Sequence, residues 1–205
     1  MEELIDKLKQ DLKSLSVDAF FDKYYLNDNY WYFEYVLKYE DEELLKNVQE
    51  FKNIISEHFQ ISKENVYLVG SAKIGVSLSP QREGKESKLY KKFRIDGENP
   101  SDLDVAIISE KLFNIYWNSY RNAKYYSRYQ ETYEHVYNET YRGYINSKNL
   151  VEIDECRKLW NDFIKLLYRK LQRFFIKNEI QFRIYRNLND FLQYHHQGIN
   201  KIRRI

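Results

Sequence analysis

Four of the six glycines and both prolines of this chain fall between Gly70 and Pro100, beside the residues with the most chemistry to offer. Gly70-Ser71 closes the apolar run "VYLV" and precedes a candidate helix start at "AKIGV". A strand that ends in small residues at a helix start offers backbone N–H groups and a hydroxyl to a phosphate. Asp102-Leu103-Asp104 opens a second apolar run, "DVAII". Two aspartates one residue apart on a strand share a face, while Leu103 and Val105 turn toward the core. Such a pair suits hard divalent cations, Mg²⁺ or Mn²⁺, which accept carboxylate and phosphate oxygens together and keep several waters. A glycine-rich stretch between two strands is equally compatible with a plain connecting loop.

The elements that must position these residues follow from periodicity. Leu4, Ile5, Leu8, Leu12 and Leu15 recur at helical spacing, and a run of aromatics after them is broken at Asn27, Asp28 and Asn29. A second helix starts near Asp41, read as its N-cap, and presents Leu44, Val48, Phe51, Ile55 and Phe59 on one face. Val66 to Val69 and Asp104 to Ile108 are short buried strands. Beyond Ser109 a tyrosine-rich helical piece runs to about Tyr141, and a long helix from Asp154 carries Leu159, Phe163, Leu166, Leu167, Leu171 and Phe174. "IQFRIYRN" alternates as a strand covered on one face, and the tail is a short helix stopped by Gly198. The expected architecture is α/β (α+β): a helical segment over 1–40, a core over 41–109 with a small mixed sheet, and a helical region over 110–205 whose late strand completes that core.

Composition narrows the function classes. In 205 residues, 43% hydrophobic and 17% aromatic, there is enough apolar material for a sizeable core, and the twenty tyrosines read as half-buried core with polar tips. A net charge of +2 argues against a chain-wide polyanion surface, so any nucleic-acid contact must be local. The single Cys156 excludes an internal disulfide and reads as a buried thiol, which suits a reducing cytoplasm. No apolar run approaches membrane-spanning length, and "MEELIDKLKQ" lacks the apolar core of an export signal, so no membrane partner is expected.

"LVGSAKIG" followed by "SDLDVAII" resembles the signature of the nucleotidyltransferase superfamily related to DNA polymerase β. The resemblance covers roughly residues 41–109. It implies that Gly70 and Ser71, with Lys73 just beyond, hold a nucleoside triphosphate, and that Asp102 and Asp104 bind the metals. It also implies a third carboxylate on a later strand, and only Glu179, at the start of "EIQFRIYRN", has the right parity. The implied acceptor is a protein, an RNA, a nucleotide or a small molecule. The alternative within the same fold is an inactive member that binds nucleotide or a partner protein, as an antitoxin or defence component.

The chain departs from the family pattern between the two signatures, where 30 residues separate Ser71 from Asp102. The insert over 81–98 mixes Arg82, Lys85, Lys88, Lys91, Lys92 and Arg94 with acidic residues. It is expected to be mobile, as a solvated loop or as a basic flap over the triphosphate or a polyanionic acceptor. Arg128 and His135 lie two helical turns apart and resemble the Arg and His pair of small helical ribonucleases, or belong to a packing face. His195-His196 diverge too much to share a metal and suit a surface or capping position.

Overall fold

The computed structural model of the chain describes residues 2–80, 87–123 and 130–205. The order of elements is α1 (Glu2–Ser14), α2 (Val17–Phe21), α3 (Asp41–Phe59), β1 (Val66–Val69), α4 (Gly70–Ile74), β2 (Leu103–Ile108), α5 (Glu110–Asn122), α6 (Gln130–Tyr141), β3 (Tyr144–Asn146), α7 (Ser147–Leu150), α8 (Asp154–Leu171), β4 (Ile180–Tyr185) and α9 (Leu188–Ile202). Helix boundaries carry recognisable caps. Ser16 Oγ accepts from the Ala19 N–H at 3.0 Å to start α2, and Ser109 Oγ accepts from Leu112 at 3.3 Å to start α5. Gln60 adopts φ +54° and closes α3 by returning its N–H to Ser56 and Glu57.

The four strands form one mixed sheet in the order β1-β2-β4-β3. β1 and β2 are antiparallel, β2 and β4 parallel, β4 and β3 antiparallel. The parallel β2–β4 pair demands a long crossover, and helices α5 to α8 supply it. Alternation along the strands covers both faces. Leu103, Val105 and Ile107 of β2, with Phe182 and Ile184 of β4, pack against Phe51 and Phe59 of α3 and Trp160 of α8. Ala106, Ile108 and Tyr185 face the other way, toward Leu8, Leu12, Phe21 and Phe191 of α1, α2 and α9. The expected mixed α/β architecture with flanking helices is what the chain adopts.

Several elements differ from expectation for physical reasons. α9 runs through Gly198 instead of stopping there, because Ile199 and Ile202 beyond it bury in the second core face. The buried stripe of α8 is Cys156, Trp160, Ile164, Leu167 and Leu171, leaving Leu159 and Leu166 exposed, since that stripe faces the sheet and α5. Glu40 rather than Asp41 occupies the α3 cap position. The three-residue strand β3 was not expected; it is too short to show a period and exists by pairing with β4. β4 is covered on both sides at its end, where Tyr185 lies under α9. No helix among the described residues is long and apolar enough to cross a membrane.

Candidate functional site

Strand pairing brings the two sequence signatures together. Val69 is in register with Asp104 across the β1–β2 ladder, so the next residue, Gly70, lies against the Asp104 side chain. Gly70 has φ +67°, and a Cβ there would stand 2.7 Å from Asp104 Oδ2. Glycine is thus demanded twice, by backbone conformation and by the neighbouring carboxylate. Asp102 is exposed and Asp104 half-buried, with Leu103 and Val105 between and beyond them fully buried. Burial pushes the Asp104 carboxyl above the usual range, and the charge of Asp102 adds to this, while Arg183 and Lys88 pull in the opposite direction.

On the other side of β2, Gln181 is paired with Asp104 and Arg183 with Ala106. Gln181, not an acid, therefore holds the strand position beside the aspartates. Its side chain donates to the Glu179 carboxylate and accepts from Ser147 Oγ at 3.3 Å. Glu179 is exposed just before β4 and does not line the cleft in front of the aspartates. Arg183 lies with its guanidinium carbon 4.7 Å from the Tyr194 ring centre and 5.4 Å from that of Tyr144.

The cleft has a volume of about 1140 Å³. Gly70, Ser71, Asp102 and Asp104 lie on one wall. Lys88, Lys91, Lys92 and Arg94 enter from the insert, and Arg142, Lys148, Arg183 and Lys201 from the later elements. Eight basic residues thus face two carboxylates among its described residues. A cleft lined by one sign of charge concentrates its field there even when the chain is nearly neutral.

The described part of the insert is anchored. Phe93 N–H donates to Gly75 at 2.9 Å, and Ser77 and Tyr90–Lys91 exchange backbone bonds of 2.7 and 2.8 Å. The buried Asn178 places Nδ2 within 2.8–3.3 Å of the carbonyls of Arg94, Ile95 and Ser101, and its Oδ1 accepts from Tyr32 at 3.0 Å. This fastens the chain next to Asp102. Residues 81–86, with Arg82 and Lys85, lie outside the described residues, as does Arg128.

Other expected site residues are placed elsewhere. Lys73 is buried on the far side of α4, donates to the Asn27 carbonyl at 2.5 Å and sits 3.6 Å from the Tyr30 ring centre, so it does not reach the cleft. Burial lowers its ammonium to about 7. His195 is buried rather than exposed or capping; it lines the cleft among Tyr25, Phe191 and Tyr194, and burial and Arg183 drive its pKa down to about 3, so it is neutral. His196 lies 3.5 Å from Asp18, and His135 is an exposed neighbour of Glu131. Asn178, Arg142 and Lys148 escaped sequence reading, because nothing local marks a polar residue for a distant contact.

Chemically, the wall offers two carboxylates and a glycine-serine turn amid cations that suit phosphates. Among the described residues no group of three or more His, Cys, Asp and Glu side chains is placed to hold a metal ion. Mg²⁺ commonly takes one or two carboxylates and completes its shell with substrate phosphates and water, and Asp102 with Asp104 fits that use. Comparisons with protein-family models, curated proteins and solved structures found no match to the chain.

Proposed function

We propose that the protein is a nucleotidyltransferase that takes a nucleoside monophosphate from a nucleoside triphosphate to an acceptor hydroxyl. The observation that carries this is the convergence of Gly70-Ser71 and Asp102/Asp104 on one wall of a basic cleft. Ser71 and the backbone around Gly70 hold the β- and γ-phosphates, and Lys88 with its insert neighbours covers them. Asp102 and Asp104 would hold Mg²⁺ or Mn²⁺, which would supply positive charge to stabilise the charge that develops on the phosphates. The acceptor oxygen bonds to the α-phosphorus, the bond from that phosphorus to the bridging oxygen of the β-phosphate breaks, pyrophosphate leaves, and the hydroxyl proton passes to water. Incubation with each labelled triphosphate, Mg²⁺ or Mn²⁺ and a cell extract tests the reading. Asp102→Asn with Asp104→Asn is expected to lower transfer at least ~10²-fold; undiminished transfer by the folded double variant overturns it.

A second reading rests on Gln181 and Arg183, which occupy the β4 positions where a third carboxylate would be needed. It makes the protein a binder of Mg²⁺–triphosphate that serves as a regulator, with a partner protein reading the bound state. Tight triphosphate binding without transfer to any extract component selects this reading.

A further inference from the structure

Resting on the transferase reading, we propose that Arg142, Lys148 and Arg183 form a subsite for a phosphate of the acceptor, so that the acceptor is a nucleotide, free or at the end of an RNA strand. The order of strands supplies the direction. Gly70-Ser71 follows β1, Asp104 stands on β2 with Asp102 just before it, and Arg183 on β4 and Lys148 after β3 lie on the opposite side. At ~4.8 Å between neighbouring strands, the sheet spans about 14 Å from β1 to β3. With the leaving phosphates on Gly70-Ser71 and the α-phosphorus at the aspartates, in-line displacement brings the attacking oxygen from the β4–β3 side. The side chains waiting there are cations.

Arg142 and Lys148 are exposed and make no ion pair among the described residues. Their charge is available to a ligand. Arg183 is held between Tyr144 and Tyr194, and its Nε is buried without a hydrogen-bond partner among the described residues, as is Nε2 of His195, which lines the same cleft. A buried guanidinium N–H without a partner, next to open cations, is expected of a site that awaits an acceptor oxygen. Volume agrees. A cleft of about 1140 Å³ exceeds the upper end, roughly 1,000 Å³, of sites for one drug-sized ligand, leaving room beside a triphosphate. A polycationic acceptor would meet three like charges on this side.

The test uses the full chain carrying Arg142→Gln and Lys148→Gln, exposed changes outside the triphosphate wall, with circular dichroism to confirm folding. Fluorescence anisotropy follows binding of a labelled ten-residue oligoribonucleotide and, by competition, of adenosine monophosphate, in the presence of Mg²⁺ and a nonhydrolysable triphosphate. The expected result is at least tenfold weaker binding of the oligomer, the monophosphate or both, a salt slope reduced by about two, and triphosphate affinity within twofold of wild type. Loss confined to the oligomer identifies an RNA end, and loss confined to the monophosphate a free nucleotide. Unchanged affinity for both, or failure of wild type to bind either, overturns the subsite. A wild-type chain that binds the oligomer yet no triphosphate instead refutes the transferase reading alone.

Discussion

Gly70 and Asp104 adjoin so closely across the β1–β2 ladder that a methyl group on Gly70 would lie 2.7 Å from Asp104 Oδ2. The turn proposed to hold phosphate and the carboxylate proposed to hold metal are thereby one packed unit.

Gly70→Ala should therefore do two things. The left-handed backbone alone costs about 1–2 kcal/mol for a residue with a Cβ, and the carboxylate must move to make room. Urea unfolding should show the loss, and calorimetric titration with Mg²⁺ and a nonhydrolysable triphosphate should show at least tenfold weaker binding. Gly75→Ala makes the control. Gly75 has φ +93° and its Cβ would meet the Trp31 ring at 2.7 Å, so stability should fall by a similar amount while triphosphate affinity holds. Weaker binding from Gly75→Ala than from Gly70→Ala would misplace the phosphate site.

Asp104→Asn separates stability from binding. The native pKa of Asp104 lies above its ordinary value of 3.8 because burial disfavours the charge. The neutral form is thus the more comfortable one, and stability is lost as pH rises through the native pKa. At pH 7 the variant should match or exceed wild type in urea midpoint, with the difference closing as pH falls toward 3.8, while the Mg²⁺-dependent part of triphosphate binding disappears. A clearly less stable variant at pH 7 would mean that the charge is compensated in the fold.

Lys73 predicts a pH dependence of the opposite sign from the same cause. Burial lowers its native pKa from 10.5 to about 7, so between these values the unfolded chain binds the extra proton. Stability should therefore rise with pH through that window, by roughly a few kcal/mol. Lys73→Met should flatten the rise, read from urea midpoints at pH 7 and 9.5. It should not weaken triphosphate binding, since Lys73 packs against Tyr30.

Asn178→Ala should loosen the insert. It removes the contacts that tie the carbonyls of Arg94, Ile95 and Ser101 to the core and strands the Tyr32 hydroxyl. A cost of about 1–3 kcal/mol is expected. Hydrogen exchange over 94–102 should speed up, with the α3 amides retaining their order of protection.

The apolar elements were legible in the sequence because their signals are local. Leu8 and Leu12, Val48, Phe51, Ile55 and Phe59, the aliphatic residues of "VYLV", and Val105 to Ile108 carry their period in adjacent residues and are found buried, while Leu4, Ile5, Leu15, Leu44 and Tyr67 are half-buried. Gly70-Ser71 and Asp102/Asp104 were legible for the same reason: two short signatures, each closing or opening a strand.

What only the tertiary structure decided depends on pairing between distant residues. Parity alone selected Glu179, but register sets Gln181 beside Asp104, and Glu179 stays outside the cleft. Lys73 follows Ser71 by two residues, yet the turn of α4 sends it to Tyr30. Gly198 carries a stop signal that the burial of Ile199 and Ile202 outweighs. The near-neutral chain hides a basic cleft, because Lys88, Arg142, Lys148 and Arg183 come from four separate stretches. Net charge is a sum over residues, whereas the field in a cleft depends on which of them the fold brings together.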